Sequence, residues 1–250
     1  MRFFVGLHQP SDAKHFDCCF VSVNRLRNRK SDFEVGDWIM DSGAFSTIHV
    51  HGGYPHPVEE YAAHIRRWKG CGNLLAAVSQ DYMCEPVMLA KTGLTIADHQ
   101  RLTIERYDAL LRCEAGCYIM PVLQGYQPED YVRHIRQYGS RLAYGAWVGV
   151  GSVCKRNGNP KAILDVLIAI KTERPDLQLH GFGLKTIALA HGVIRALLHT
   201  ADSMAWSFAG RKAGDGANDW RNAERFRSEV GKPELYQGHF AELLCDPGLH

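Results

Sequence analysis

Short runs of β-branched and aromatic residues alternate along the chain with longer segments whose apolar positions recur at helical spacing. That is the pattern of repeated strand–helix units around a parallel sheet. The runs that read as strands are residues 2 to 7 (RFFVGL), 19 to 23 (CFVSV), 37 to 41 (DWIMD), 74 to 79 (LLAAVS), 118 to 123 (YIMPVL), 146 to 150 (AWVGV), 178 to 182 (QLHGF) and 201 to 206 (ADSMAW). The helices between them have recognisable starts. Pro57 precedes Val58, Tyr61, Ile65 and Trp68; Thr95 stands three residues ahead of Asp98; Pro128 precedes Tyr131, Ile135 and Tyr138; Asn159-Pro160 precedes Ile163, Leu167 and Ile170. Each apolar stripe is expected to face the sheet.

Eight strands in 250 residues give about 31 residues per unit, the size of a (β/α)8, or TIM, barrel. Two helical segments, EEYAAHIRRW (59–68) and EDYVRHIRQY (129–138), resemble each other and fit a barrel of repeated units. The first pair of strands is the exception, because residues 8 to 18 are too few for a crossover helix; one of the two reads as an extra hairpin arm. No Ser/Pro/Gly-rich linker divides the chain, so residues 1–250 read as one α/β domain, with 208–250 as a C-terminal helix and tail.

Composition narrows the function. With 46% hydrophobic residues the chain has material for a substantial core, and 29 Lys+Arg against 27 Asp+Glu excludes a polybasic binder and an acidic solvating protein alike. Any nucleic-acid footprint must be local. The mean hydropathy of −0.23, with no uninterrupted apolar run of about 18 residues and no signal-peptide start, points to a cytoplasmic protein without a membrane segment. Eight scattered cysteines then read as reduced thiols. The Cys113/Cys117 pair lacks the second pair that a structural zinc site would need.

The informative feature is where polar and glycine residues fall. Several predicted strands end on one: Asp41 in MDSGAF, Asp81 in QDYMCEP, Gln124 in PVLQGY, Gly149 and Gly151 in VGVGS, Gly181 and Gly183 in HGFG, Asp202 in ADSMAWS. In a parallel barrel all these ends share one rim, and catalytic groups come from several of them. Singly, each aspartate reads equally as a helix cap or Asx turn and each glycine as turn geometry. Neither Gly-x-Gly continues into a dinucleotide or P-loop fingerprint.

In order and spacing, these motifs resemble the strand-end motifs of the tRNA-guanine transglycosylase superfamily, and most closely those of its compact DNA-modifying branch, the deazapurine DNA-modification transglycosylases (DpdA). The resemblance covers residues 37 to 211. It implies a (β/α)8 enzyme that exchanges guanine in a polynucleotide for a 7-deazaguanine free base, such as preQ0 (7-cyano-7-deazaguanine), without cutting the strand. It further implies Asp202 as nucleophile, Asp41 as second catalytic carboxylate, and Asp81, Gln124 and Gly151 as base-recognition positions. Guanine presents acceptor O6 beside donors N1–H and N2–H2, so Asp81 with Gln124 and the Gly151 N–H forms a matching set. Gly149 and Gly183 belong to the same rim, and Phe45 and Tyr82 are candidates to stack on a flipped base.

Reaching C1′ in duplex DNA requires extruding the nucleotide, so phosphate contacts are expected around the rim. Candidates are Arg25, Arg27, Arg29 and Lys30 in the run NRLRNRK, Lys155-Arg156, and Arg211; a solvated loop explains the first run equally well. The tRNA-acting relatives carry a zinc subdomain of three cysteines and a histidine after the nucleophile. This chain has only Cys245 there, with His239 and His250 nearby, so zinc is not predicted and DNA is favoured over tRNA. Two other classes compete: a metal-dependent barrel hydrolase using His49-Val50-His51 with His56, Asp81 and Asp202, although histidines that follow a DSGAF turn beside Gly52-Gly53 fit a loop better, and a non-catalytic nucleic-acid or base-binding module. The sequence leaves a homodimer open.

Overall fold

Alternation within each strand sorts the apolar side chains into two layers. The computed structural model describes residues 1–156, 158–207 and 218–232. Its strands are β1 (Arg2–Leu7), β2 (Cys18–Ser22), β3 (Asp37–Asp41), β4 (Asn73–Val78), β5 (Ile119–Met120), β6 (Val122–Leu123), β7 (Trp147–Val150), β8 (Gln178–Gly181) and β9 (Thr200–Ser203). All pairings are parallel, in the order β5-β4-β3-β2-β1-β9-β8-β7-β6. Only Pro121 separates β5 from β6. Having no N–H, it interrupts the ladder, yet its carbonyl still accepts from the Gly149 N–H at 2.9 Å while Met120 O accepts from the Ser79 N–H at 3.0 Å. The two ends of the strand order are therefore one stretch of chain, and the sheet closes as an eight-unit TIM barrel.

Phe4, Phe20, Ile39, Ala76, Val78, Met120 and Val122 fill the barrel interior. Their neighbours in sequence, Val5, Cys19, Val21, Trp38, Met40 and Ala77, point outward into the larger core beneath the helices. The helices are α1 (Ala44–His51), α2 (Val58–Trp68), α3 (Pro86–Thr92), α4 (Ile96–Arg112), α5 (Pro128–Tyr138), α6 (Pro160–Glu173), α7 (Thr186–Leu189), α8 (Gly192–Leu197) and α9 (Trp220–Gly231). The start signals act as the sequence suggests. Thr95 and Asp98 form a reciprocal capping box, and Asn159 Oδ1 accepts from the Ala162 N–H at 3.1 Å. The two similar helices are also fastened alike: Tyr61 donates to Val78 O (2.9 Å) and Tyr131 to Gly151 O (2.7 Å), in each case at the C-terminal end of the next long strand. Among the described residues no helix is long and apolar enough to cross a membrane.

Two expectations change. Neither of the first two strands is a hairpin arm: β1 and β2 pair in parallel, and a single 3-10 turn (Pro10–His15) makes the crossover. The outer face left without a full helix there is covered from the other end of the chain, where Trp220 stacks on His15 at 4.0 Å and Phe226 meets Phe3 at 6.1 Å. The last strand stops at Ser203 rather than 206, because Ala205 begins a helical turn and Trp206 is buried with its indole N–H donating to Gly6 O (2.9 Å). Of the segment 208–250, residues 208–217 and 233–250, including Arg211, His239, Cys245 and His250, lie outside the described residues.

Candidate active site

A cavity of about 270 Å³ opens at the C-terminal ends of the strands, close to the lower end of small-molecule sites. Asp41, Asp81, Gln124, Gly151 and Asp202 all line it, together with Phe45 and Lys155. Period-two alternation explains this. Asp41 continues the inward face of β3 after Ile39, and Asp202 pairs in register with inward-facing Phe4.

On one side of the cavity an amide sits between two partners. Gln124 Nε2 donates to Asp81 Oδ2, and Gln124 Oε1 accepts from Ser152 Oγ at 2.8 Å. Its backbone is clamped as well: the Gln124 N–H donates to His134 Nδ1 (2.8 Å), and Gln124 O accepts from Gln100 Nε2 (2.7 Å). His134 is fully buried, and burial pushes its pKa down to about 3, so it stays neutral and accepts through Nδ1. Gly151 is required by close approach, since a Cβ there would stand 2.2 Å from Gln124 Nε2. Its N–H, expected from the sequence to face the base, instead donates to Leu123 O at 2.9 Å in the sheet ladder. Gly149 serves similarly, clearing space for the Phe182 ring 2.3 Å from where its Cβ would be.

Two of the cavity carboxyls, Asp81 and Asp41, are held above the ordinary carboxylate range. Burial, partly offset by the Gln124 amide and reinforced by Asp41, raises Asp81 to about 7. Burial, offset by the Ser22 hydroxyl and the Gly43 N–H and reinforced by Asp202, raises Asp41 to about 6. Asp41 thus interacts electrostatically with both other aspartates. On the opposite wall Asp202 Oδ1 accepts from the Gly183 N–H (3.1 Å) and meets His180 Nε2 (3.2 Å). Gly183 has φ +61°, the left-handed region that glycine adopts without strain, and this turn aims its N–H at the carboxylate.

Other expected positions divide. Phe45 is 42% exposed at the mouth, with Lys155 Nζ 4.4 Å from its ring centroid. Tyr82 is not among the residues that line the cavity; it packs edge-on against Tyr54 (5.4 Å) and His99 (5.5 Å). In the basic run, Arg27 pairs with Glu60 and ties the run to α2, while Arg29 donates to Ser31 O (2.8 Å) and Asp32 O (3.1 Å) and holds its own loop. Arg25 meets His8 Nδ1 at 3.1 Å and Lys30 is exposed. Arg156 lies over the Tyr126 ring at 4.7 Å.

His49 and His51 sit on the last turn of α1, not in a loop, and His49 stacks on Phe45 at 6.0 Å. Positions i and i+2 of a helix do not face each other, and among the described residues no group of three or more His, Cys, Asp or Glu is placed to hold a metal.

Sequence reasoning missed His180, His134, Ser152, Glu85 and the aromatic cavity residues Phe20 and Phe182. The signal for His180 was its place between Leu179 and Gly181, which sets it on the inward face with Phe182. Glu85, 3% exposed on the cavity wall, precedes Pro86 and reads in sequence as a helix start.

The strand C-termini of this parallel barrel gather three aspartates and a clamped glutamine around one cavity, the place where TIM-barrel enzymes carry their active sites. The sequence model of the family DpdA, DeoxyPurine in DNA protein A, matches residues 1–219, and the chain belongs to this family, within the tRNA-guanine transglycosylase superfamily. It is accordingly a transglycosylase of DNA deazapurine modification. Among curated proteins the comparison found no match.

Proposed function

We propose that the chain exchanges guanine in duplex DNA for a 7-deazaguanine free base through a covalent Asp202–sugar intermediate. The observation that supports this most is the convergence of Asp41, Asp81, Gln124 and Asp202 on one cavity. Exchange at C1′ with retained configuration needs two inversions, and a carboxylate supplies the covalent stage between them. In the first, an Asp202 oxygen attacks C1′ of the extruded nucleotide as the C1′–N9 bond breaks. Guanine leaves with the bonding pair and takes a proton from Asp41. In the second, the incoming base gives its N9 proton to Asp41, N9 attacks C1′, and Asp202 departs as carboxylate.

A carboxyl held at about 6 carries a proton both ways near neutral pH. Asp81 accepts from the N1–H and N2–H2 of the base, and Gln124, released from its resting partners, supplies its amide to O6. Adenine reverses these contacts, and each buried group left unpaired costs about 1–3 kcal/mol. Because the incoming base has carbon in place of N7, it cannot be protonated there, and the reverse exchange is slow. Phe45 and Lys155 at the mouth fit stacking and phosphate contact.

The test is incubation with guanine-containing duplex DNA, or with tRNA, plus 7-cyano-7-deazaguanine, followed by mass spectrometry of the nucleosides. Incorporation into DNA is expected. Incorporation into RNA alone overturns the substrate assignment, and none in either overturns the reaction.

A further inference from the structure

Beneath Asp202 runs a chain of polar contacts, buried from Thr200 inward, that the exchange chemistry above does not use. Trp147 Nε1 lies 2.8 Å from Thr200 Oγ1, Thr200 Oγ1 lies 2.8 Å from His180 Nδ1, and His180 Nε2 lies 3.2 Å from Asp202 Oδ1. All four side chains come from strands β7, β8 and β9, where Trp147, His180, Thr200 and Asp202 share the inward face. His180 is fully buried. Its ring stacks on Phe20 (5.6 Å, 15°) and meets the edges of Phe182 (4.7 Å) and Trp147 (6.2 Å), so it cannot turn without unpacking the barrel interior.

The direction of this chain follows from donor counting. An indole N–H can only donate, so Thr200 Oγ1 accepts from Trp147 and keeps its proton and one lone pair for His180 Nδ1. A carboxylate oxygen can only accept, so His180 Nε2 carries the hydrogen toward Asp202, and in the neutral ring Nδ1 is the acceptor that takes the Thr200 proton. The other neutral tautomer would set a nitrogen lone pair against a carboxylate oxygen in a dry interior, which is unfavourable. Both donors to Asp202, His180 Nε2–H and the Gly183 N–H, fall on Oδ1. From the described residues Oδ2 accepts no hydrogen bond.

We infer that His180, fixed in its Nε2–H tautomer by Thr200 and Trp147, is the positioning residue of this enzyme: it anchors Oδ1 of Asp202 so that Oδ2 is presented to the sugar. This rests on Asp202 as nucleophile. Holding the attacking atom in place is worth about 10²-fold in rate for a misplacement of about 1 Å.

The experiment compares the full-length wild type with His180→Leu, His180→Gln and Thr200→Val. Long-range 1H–15N spectra read the tautomer; base exchange between guanine-containing duplex DNA and 7-cyano-7-deazaguanine gives kcat and KM. The expected spectrum has His180 protonated on Nε2 in the wild type, with Thr200→Val showing a tautomer mixture and a kcat about tenfold lower. His180→Leu, similar in volume but without a donor, lowers kcat about 10²-fold with KM for both substrates within about twofold. His180→Gln places an amide N–H near the position of Nε2 and recovers kcat to within about tenfold of wild type. An Nδ1–H tautomer, or His180→Leu with wild-type kcat, overturns the inference. So does a Gln variant as slow as the Leu variant, which indicates packing alone. A wild type that exchanges no base refutes the reading of the reaction, whereas an active wild type with an equally active His180→Leu refutes only the positioning role.

Discussion

The two walls of the cavity hold their carboxyls with different partners. On the wall built from β4, β6 and β7, Asp81 is buried, partnered by an uncharged amide and close to a second carboxyl, and its proton is held up to about pH 7. On the wall built from β8 and β9, Asp202 is as deeply buried but has two N–H donors on a single oxygen. Each wall also carries one fully buried histidine. His134 accepts from the Gln124 backbone and so fixes where the amide stands, whereas His180 faces the carboxylate itself. The difference separates recognition from attack. The recognition side rests interlocked through Gln124, Asp81 and Ser152 and must exchange those bonds for the base, while the nucleophile side is set in advance.

The largest expected effect falls on the attacking wall. Asp202→Asn lowers exchange by about 10⁴-fold or more and abolishes the trapped protein–DNA adduct, while the free base still binds. Normal exchange by this variant would erase the distinction between the walls. On the recognition wall, Gly151→Ala drives a Cβ into Gln124 Nε2, 2.2 Å away, and unlocks the amide from Asp81 and Ser152. At about 1–3 kcal/mol for each group left unpaired, kcat/KM for the base falls about 10- to 100-fold. An unchanged value would mean that Gln124 does not read the base.

Asp81 sharpens the comparison through pH. Its folded-state pKa of about 7 exceeds the ordinary 3.8, so the folded state binds the proton more tightly; that stabilisation is complete below 3.8 and is lost as pH rises through about 7. Asp81→Asn, which carries no buried charge, is therefore more stable than wild type at pH 8 by roughly 2–4 kcal/mol, with no such gain near pH 4. Melting temperatures at the two pH values check this. In the wild type, kcat/KM declines as pH falls through about 7, because a protonated Asp81 no longer accepts from two donors of the base. The smallest effect belongs to the mouth: Lys155→Ala should reduce the slope of log affinity for DNA against log salt by about 0.9, with base exchange at saturating DNA nearly unchanged.

Much of this was written locally. The short β-branched and aromatic runs located the strands, Asp41, Asp81 and Gln124 stood out as polar residues just after such a run, and Asp202 stood out through the motif ADSMAWS. Other features had no local sign. Pro121 marks a broken strand, but nothing nearby says that its two halves pair with β4 and β7 and thereby close the barrel. Tyr82 and Phe45 look equivalent in sequence, each an aromatic beside a rim motif; the structure turns one into a cluster under α1 and leaves the other at the mouth. The basic run read equally as a phosphate patch and as a solvated loop; only the structure shows Arg27 paired with Glu60 and Arg29 held by loop carbonyls.

What the sequence determined by itself was the set of strands, their inward and outward faces and the polar residues at their ends, because alternation and turn chemistry act within a few residues. The tertiary structure decided which of those residues share the cavity and what holds each in place. Burial, donor direction and the pKa of a carboxyl depend on neighbours brought in by closure of the sheet: His180 under Asp202, Ser152 and His134 about Gln124, Asp41 between two other aspartates. Those neighbours lie ten or more residues away along the chain, beyond the range of any local pattern.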